Sequence, residues 1–302
     1  GSGPAGLTIP GHLYNFGSTG KVALPADIVY IKSGVYMKSM ISIYILLCIY
    51  ILAVPVSARE SRIIGRSVEG RSIIAKRIGR GPEAVVLIGG IHGGYEWNTI
   101  LLAYEAIDYY TANRIAVPPS VTLYIIPSAN PDGQYTVTFQ TGRFTPDQVT
   151  DGDTSWGRFN GNGVDLNRNW DCEWAPTALW RDRTVSAGTA PFSEPETVAL
   201  RDFLIPLDPA AVVFWHSSAP GVFPAGCGDL YQPSVDLARL YARSSDGYDY
   251  IRAFTAYYVT GDAADWLATQ GIPAITIEFR NHINIDWELN LGGMTGVLEQ
   301  YR

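Results

Sequence analysis

An apolar run, a glycine-rich turn and an amphipathic segment follow one another in the stretch AVVLIGGIHGGYEWNTILLAYEAI. Residues 84–90 are apolar or glycine, a pattern that predicts a buried β-strand. Apolar side chains then recur from Ile100 at positions i, i+1, i+4 and i+7. Because these positions share one face of an α-helix, we expect a helix over residues 96–112. The pattern therefore places His92 and Glu96 just beyond the carboxyl end of a central strand.

Similar segments alternate along the rest of the chain. The pattern predicts an edge strand at 73–78 and further strands at 121–126, 211–215 and 272–279. It predicts helices at 194–203, 231–246 and 262–270, and a last helix that begins near 285 or 293 and ends at 300. Residues 127–166 show no helical period and predict a long loop. Strands interleaved with helices indicate one α/β domain whose sheet is covered on both faces.

The first 58 residues differ in pattern from the remainder. Residues 1–36 are rich in Gly, Pro and Ser, and we expect them to be unstructured or to lie upstream of the true start. Residues 37–58 combine Lys38, an apolar run of 14 residues and small residues after Pro55, which is typical of a secretory signal peptide. An uncleaved membrane anchor or a buried helix is the alternative, although a spanning helix needs about 20 residues. We predict a secreted or extracytoplasmic domain at 59–302.

Composition and charge exclude some partners. The chain is 47% hydrophobic and 17% charged, as in ordinary globular proteins. Its net charge is −7, and because residues 1–58 carry +2, the predicted domain carries −9. This charge disfavours nucleic acid and anionic membrane as partners, so we expect a membrane contact only if the signal segment stays uncleaved. Cys172 and Cys227 remain in the predicted domain, where export favours a disulfide and two free thiols are the alternative.

Two histidines and one carboxylate could form a metal site. His92 and His216 both follow predicted buried strands, and Glu96 begins the helix after the first of them. Two imidazoles and a carboxylate are a ligand set of catalytic zinc sites, which leave one position open to water. Each residue also has a simpler explanation, as a helix-start glutamate favoured by the helix dipole or as a hydrogen-bonded core histidine. Their coincidence favours one Zn²⁺ ion.

Further polar residues have two interpretations each. Glu278 lies inside an apolar strand, where an unpaired carboxylate is costly, so it is either a general base or the partner of an arginine. The segment 158–170 (RFNGNGVDLNRNW) contains Arg158 and Arg168 among asparagines, and this combination can bind a carboxylate. The alternative is a polar surface loop in which Asp165 pairs with an arginine.

Short motifs along the chain carry a family resemblance. They are GRSVEGR (65–71), GGIH (89–92) with EW (96–97), NPDG (130–133), GVDLNRN (163–169), FSEPET (192–197), HS (216–217), TGDAADW (260–266) and TIE (276–278). In this order the chain resembles the zinc metallocarboxypeptidases of the carboxypeptidase A type, from about Ser61 to Arg302. The resemblance implies a three-layer α/β/α sandwich with a mixed, mostly parallel eight-stranded sheet. It also implies a hydrolase that releases the C-terminal residue of a peptide.

The resemblance assigns the metal site and the base. His92, Glu96 and His216 match the ligands of one zinc ion. Glu278 matches the general base, which would take a proton from water and pass it to the leaving amine. These assignments make the predicted enzyme a zinc-dependent peptidase.

The resemblance also assigns the residues that hold the substrate. Arg158 matches the arginine that stabilises the oxyanion, with Arg143 as a rival. Asn167 and Arg168 match the pair that holds the terminal carboxylate. Tyr257 matches the mobile tyrosine that closes over substrate, although the adjacent tyrosine competes for this role. The implied partner is a peptide with a free C-terminal carboxylate, and we expect a monomer.

One departure from the family lies at the first motif. Three residues separate His92 from Glu96, whereas the family usually has two. The turn at 93–95 contains two glycines, and because glycine tolerates unusual dihedrals, a bulge there could absorb the extra residue.

Substrate choice is less defined by the sequence. Ala264 matches the position where the family's side-chain pocket is tuned, and a small uncharged residue there argues against a pocket for Lys or Arg. Asp262 would reverse this expectation if it points inward. Two substrate classes stay open, protein-derived peptides and cell-wall (peptidoglycan) peptides. A non-catalytic module that keeps only the carboxylate site is a third hypothesis.

Overall fold

The structure is a computed structural model that describes residues 60–302. The segments predicted at 1–36 and 37–58 lie outside the described residues. A main sheet contains seven strands, and a separate two-stranded hairpin lies beside it. The strands of the sheet are β1 (Ser61–Arg66), β2 (Ser72–Gly79), β3 (Glu83–Ile88), β4 (Val121–Ile126), β7 (Ala211–Ser217), β8 (Gly221–Pro224) and β9 (Ala274–Phe279), and those of the hairpin are β5 (Thr177–Trp180) and β6 (Arg183–Ser186).

The strands of the main sheet lie in the order β1-β2-β4-β3-β7-β9-β8. The four central strands, β4, β3, β7 and β9, are parallel, whereas β1, β2 and β8 join by antiparallel pairing. The predicted mixed sheet in an α/β fold is confirmed. Parallel central strands end at one common edge, and ligand sites of open α/β sheets form at such an edge.

The sheet has seven strands in the described part of the chain, not the eight that the resemblance implied. Beyond β8 the chain returns at Tyr250, which makes one isolated bridge with Val222. Val222 N donates to Asp249 O over 2.8 Å, and Ile251 N donates to Val222 O over 2.9 Å. A strand needs a continued ladder of such pairs, and β8, only four residues long, offers little length for one. The eighth strand is therefore reduced to a bridge.

Helices cover both faces of the sheet. They are α1 (Trp97–Ala112), α2 (Pro131–Thr138), α3 (Pro195–Leu207), α4 (Gln232–Ser245), α5 (Ala263–Thr269) and α6 (Trp287–Gln300). α1, α4 and α6 pack on one face, and α3 and α5 pack on the other. In β3, Val85 and Leu87 enter the first core while Val86 and Ile88 enter the second. A strand buried on both faces reads as a continuous apolar run, which is why its position was predictable.

Two local predictions are wrong. The strand predicted at an edge, β2, is internal, because β1 pairs with its outer side. β1 is largely exposed and so carries little hydrophobic pattern. Within the predicted loop 127–166, α2 forms because the Asn130 side chain accepts a hydrogen bond from Gly133 N and Pro131 begins the helix. This helix buries the polar Asp132 and Gln134, so it lacks an apolar period.

Cys172 and Cys227 form a disulfide, with their Cα atoms 5.7 Å apart. The predicted bridge is confirmed, and the alternative of two free thiols is wrong. Within residues 60–302, no helix combines the length and apolar character needed to cross a membrane.

Candidate active site

The turn after β3 brings His92 and Glu96 together. Gly93–Glu96 forms a single 3₁₀ turn that runs directly into α1. His92 Nδ1 lies 2.8 Å from Glu96 Oε1, and both side chains are buried. Gly93 has a φ of 45°, and a Cβ at this position would lie 2.6 Å from Gly157 O. Glycine is therefore required here, and the turn accommodates the extra residue without separating the histidine from the glutamate.

His216 lies in β7, the strand next to β3. Its Nδ1 is 3.2 Å from Glu96 Oε2 and 3.2 Å from His92 Nδ1. One potential ligand atom from each of the three side chains lies within 4.8 Å of the others. The three residues meet because the parallel strands end at the same edge of the sheet.

These three side chains fit a zinc ion. Glu96 Oε2 has no hydrogen-bond partner among residues 60–302, although it is fully buried. Burial opposes ionisation, but the charges of His92 and His216 outweigh it and lower the pKa of Glu96. One carboxylate oxygen and two imidazole nitrogens that converge on one point are donor types that a zinc ion binds. Three nitrogen and oxygen ligands are the usual protein contribution to a catalytic zinc site.

Asp165 links the metal ligands to the predicted catalytic arginine. Its Oδ2 accepts a hydrogen bond of 2.7 Å from Arg158 Nε, and its Oδ1 lies 3.3 Å from His92 Nε2. Burial alone would raise the pKa of Asp165, but the charges of Arg158 and His92 hold it well below its usual range. Such an outer carboxylate orients a ligand imidazole and supports its basicity. From the sequence, a pairing of Asp165 with an arginine was expected only in the alternative of a polar surface loop. In the structure Asp165 does pair with Arg158, but both side chains are buried.

Of the two arginines considered for stabilising the oxyanion, Arg158 lies inside the protein, whereas Arg143 lies at the surface. Arg158 Nη1 lies 3.8 Å from Glu96 Oε1, and its Nη2 is buried without a hydrogen-bond partner in the described chain. Arg143 instead binds Asp108 at the surface, with 2.7 Å between Nη1 and Oδ2. Of these two arginines, Arg158 is therefore the one with a buried donor that no described residue accepts from.

Glu278 lies directly beside His216 in the pairing of β7 with β9. Its Oε2 accepts a hydrogen bond of 3.1 Å from Ala219 N, and within the described residues no cation forms a salt bridge with it. The alternative of a structural salt bridge is therefore wrong. Burial, followed by the negative charge of Glu96, raises the pKa of Glu278 well above its usual value. A raised pKa improves a carboxylate as a proton acceptor near neutral pH.

Asn167 and Arg168 are held rigidly at the start of α5. Asn167 Oδ1 accepts from Ala263 N over 3.0 Å, and Asn167 Nδ2 donates to Asp262 Oδ2 over 2.7 Å. Arg168 Nη1 donates to Asn167 O, and Arg168 Nε and Nη2 donate to Leu179 O at 3.2 and 3.1 Å. Both side chains are buried, so the pair is preorganised before any ligand binds.

The predicted mobile tyrosine lies near this pair. The guanidinium carbon of Arg168 is 6.0 Å from the centre of the Tyr257 ring. Tyr257 also stacks edge-on against Phe254, with 4.8 Å between the centroids. The adjacent Tyr258 is two-thirds exposed, and its hydroxyl already donates to Glu173. Of the two tyrosines, Tyr257 is the one in reach of a ligand at Arg168.

One cavity of about 1020 Å³ unites the predicted residues. It is lined by every residue predicted for metal, catalysis and substrate, namely His92, Glu96, Arg158, Asn167, Arg168, His216, Tyr257 and Glu278. Residues far apart in the sequence therefore face one shared space. A cavity of this size holds a ligand larger than a single amino acid.

Acidic residues line the same cavity near α5. Asp262 caps the helix, because its Oδ1 accepts hydrogen bonds from Ala264 N and Asp265 N. Asp265 accepts from Gly226 N, and burial together with the charge of Asp262 raises the pKa of Asp265 to about 8. Ala264 lines the cavity between these carboxylates. The cavity therefore contains acidic groups, although Ala264, which matches the position that tunes the family's side-chain pocket, is uncharged.

The profile of the zinc carboxypeptidase family matches residues 57–285. The chain belongs to the zinc carboxypeptidase family. This result confirms the resemblance drawn from the motifs.

Individual zinc carboxypeptidases and related enzymes show the extent of the similarity. Zinc carboxypeptidase A 1 of Anopheles gambiae is 29% identical over 223 residues, which cover 67% of this chain and 50% of that protein. Murein peptide amidase A of Escherichia coli (strain K12) is 27% identical over 228 residues, which cover 71% of this chain and 79% of the amidase. The crystal structure of carboxypeptidase A from Helicoverpa armigera has a TM-score of 0.63 at 24% identity, covering 80% of this chain and 68% of that one. This structural likeness shows the shared fold.

Sequence reasoning missed several residues that pack around the candidate site of this member of the zinc carboxypeptidase family. Ser217 Oγ donates to Asn98 Oδ1 over 3.0 Å and lies 2.9 Å from His282 Nδ1. Tyr95 packs against both His282 and Trp180, with centroid distances of 4.7 and 5.1 Å. His282 could have been noticed as the third histidine of the predicted domain. No hydrophobic periodicity distinguishes Ser217, Asn98 or Tyr95.

Proposed function

We propose that the protein is a secreted zinc-dependent carboxypeptidase that hydrolyses the C-terminal residue of peptides. The observation that carries this proposal is the single cavity that His92, Glu96, His216, Glu278 and Arg168 share. A metal site beside a preorganised arginine suits a substrate that ends in a free carboxylate. The disulfide supports export, because such bonds persist mainly in oxidising compartments.

Each residue has a defined part in this reaction. His92, Glu96 and His216 would hold the zinc ion, which when bound supplies a Lewis acid and lowers the pKa of water. Glu278 would accept a proton from the attacking water and donate it to the leaving amine. The free Nη2 of Arg158 would donate to the carbonyl oxygen as negative charge develops there.

Asn167 and Arg168 would determine which bond is cut. By holding the terminal carboxylate they fix the register of the peptide, so that the last peptide bond lies beside Glu278. Tyr257 would cover the bound residue. A peptide with a blocked C-terminus would leave the buried guanidinium of Arg168 without its anionic partner, and it should bind poorly.

The proposal is tested with purified protein of measured zinc content. Peptides with a free C-terminus should be hydrolysed, amidated versions should not, and a chelator should abolish the activity. Glu278→Gln should keep the zinc and lose nearly all activity, whereas the matched control Arg143→Gln should remain active. Full activity of Glu278→Gln, or equal hydrolysis of amidated peptides, would overturn the proposal.

A cell-wall peptide is the second candidate substrate. Asp262 lines the cavity beside the place of the released residue, where its carboxylate suits a leaving residue with an additional amino group. The similarity to murein peptide amidase A points the same way. A panel of muropeptides measured against ordinary peptides separates the two classes by their kcat/KM values.

A non-catalytic module that binds carboxylates is the remaining alternative. The unpartnered Glu96 Oε2 and the facing histidines argue against it, because they call for a cation. Stoichiometric zinc in the purified protein would exclude a metal-free module, and its absence together with carboxylate binding would favour one.

A further inference from the structure

The hairpin of β5 and β6 gathers arginines around one aromatic ring beside the cavity. The guanidinium carbon of Arg158 lies 4.8 Å from the centre of the Trp180 ring. Those of Arg181 and Arg183 lie 5.9 and 5.6 Å from the same ring. An aromatic face attracts guanidinium groups, so Trp180 holds positive charge next to the predicted oxyanion arginine.

Arg181 is the hairpin arginine that faces the cavity. It lines the cavity together with Trp180 and Asp182, whereas Arg183 does not. At the hairpin tip Arg181 has a φ of 58°, in the left-handed region that a residue with a long side chain rarely adopts. Within residues 60–302 Arg181 forms neither a salt bridge nor a side-chain hydrogen bond, even though Asp182 is adjacent. An unpaired arginine held in a rare conformation at a cavity is a candidate binding residue.

Tyr95 shows where this arginine lies relative to the metal ligands. It immediately precedes Glu96, and its ring packs edge-on against Trp180 at 5.1 Å. Since the Arg181 guanidinium carbon lies 5.9 Å from the centre of the same Trp180 ring, Arg181 is on the side of the cavity that borders Glu96.

Besides Asp182, which is adjacent to Arg181, the cavity has acidic groups at Asp262 and Asp265 near α5. Asp262 binds Asn167, and the charges that raise the pKa of Asp265, after burial, are those of Asp262 and Glu173. These carboxylates surround the predicted position of the released residue. The residue before it in the peptide would extend past Arg158, toward the rings of Tyr95 and Trp180.

We propose that Arg181, with the rings of Trp180 and Tyr95, forms a subsite for a carboxylate on the residue that precedes the scissile bond. The guanidinium would donate to this carboxylate while the two rings cover its aliphatic stem. This carboxylate is distinct from the terminal one that Asn167 and Arg168 hold. The subsite makes the enzyme selective for acidic peptides, and it rests on the carboxypeptidase function proposed above.

The test uses two peptides that differ only in Glu or Gln at the penultimate position. The wild type should hydrolyse the Glu peptide with a kcat/KM roughly fivefold higher, as expected for one exposed charge pair, and the difference should appear in KM. Arg181→Gln should remove this preference by raising the KM of the Glu peptide to that of the Gln peptide. Arg183→Gln is the matched control, since it removes the same charge from the same hairpin outside the cavity, and it should keep the preference.

Binding provides a readout that does not depend on turnover. In the Glu278→Gln background, calorimetry should give a lower Kd for the Glu peptide, and adding Arg181→Gln should equalise the two values. The subsite is overturned if wild type shows no preference between the peptides, if Arg181→Gln weakens both equally, or if Arg183→Gln loses as much preference. Failure of wild type to hydrolyse either peptide would instead refute the proposed function, and the subsite with it.

Discussion

Arg158 Nε donates a hydrogen bond of 2.7 Å to Asp165 Oδ2, and both side chains are almost completely buried. The same two residue types also pair at the surface, where Arg143 binds Asp108. The pairs share their chemistry and differ in their exposure to water. Removing one partner of a buried pair leaves an uncompensated charge in a medium of low dielectric constant, whereas water compensates a broken surface pair.

Asp165→Asn should therefore lower the free energy of unfolding by about 3 kcal/mol. It should also reduce kcat/KM by about 10- to 100-fold, because His92 and Arg158 lose the carboxylate that orients them. Asp108→Asn is the matched control and should cost less than about 1 kcal/mol. Denaturant unfolding and peptide hydrolysis measure both effects. Equal losses in the two variants would contradict the role assigned to Asp165.

Gly93→Ala should disrupt the turn that presents His92 and Glu96. Gly93 and Gly163 both have positive φ values, 45° and 73°, but a Cβ meets Gly157 O at 2.6 Å only at Gly93. At Gly163 nothing lies within 4 Å. Gly163→Ala should cost about 1 kcal/mol from the backbone alone, whereas Gly93→Ala should cost more and should weaken zinc binding. Denaturant unfolding gives the stability of both variants, and metal analysis gives their zinc content. An unchanged zinc affinity of Gly93→Ala would contradict the role assigned to this turn.

The Cys172–Cys227 disulfide should stabilise the domain by limiting the unfolded chain. The two residues are separated by 55 positions, and closing a loop of this size contributes about 4 kcal/mol in the chain-entropy estimate. The double variant Cys172→Ser, Cys227→Ser should lose roughly that free energy of unfolding. Wild type unfolded with and without a reducing agent provides the comparison. A reductant that leaves the denaturation midpoint of wild type unchanged would show that the bridge contributes little.

Asp265 should make the stability depend on pH. Its pKa is raised from 3.8 to about 8, so between these values the folded state binds more protons than the unfolded state. Stability should therefore fall as pH rises through this window, because the folded protein must ionise a buried carboxyl group. Asp265→Asn should weaken this decline, so that its Tm changes by a few degrees less between pH 5 and pH 8. The exposed Asp229→Asn is the control, and identical pH profiles for wild type and Asp265→Asn would refute the prediction.

Local pattern determined the main elements of the fold. β3 and β7 are buried on both faces, and α1 carries apolar residues at helical spacing, so each is visible in a short window of sequence. The candidate metal ligands His92 and His216 were visible for the same reason, because His216 lies at the carboxyl end of β7 and His92 shortly beyond the end of β3. The family motifs then supplied the roles of Glu278 and Arg168, which periodicity does not reveal. The family and the α/β fold were thus predicted from the sequence, and the eight residues predicted for the site all line one cavity.

Tertiary structure alone decided what depends on contacts between distant segments. The sequence did not indicate that Tyr95, in the turn that accommodates the extra residue of the first motif, packs against Trp180 of the hairpin, because the two residues are far apart in the chain and neither falls in a predicted strand or helix. It marked neither α2, whose buried side chains are polar, nor the exposed strand β1. The burial of Asp165 between His92 and Arg158 is likewise a product of folding, since a carboxylate in a polar loop looks the same in sequence whether it is exposed or enclosed. Sequence patterns report the average environment of a segment, whereas these contacts are set by how the segments pack together.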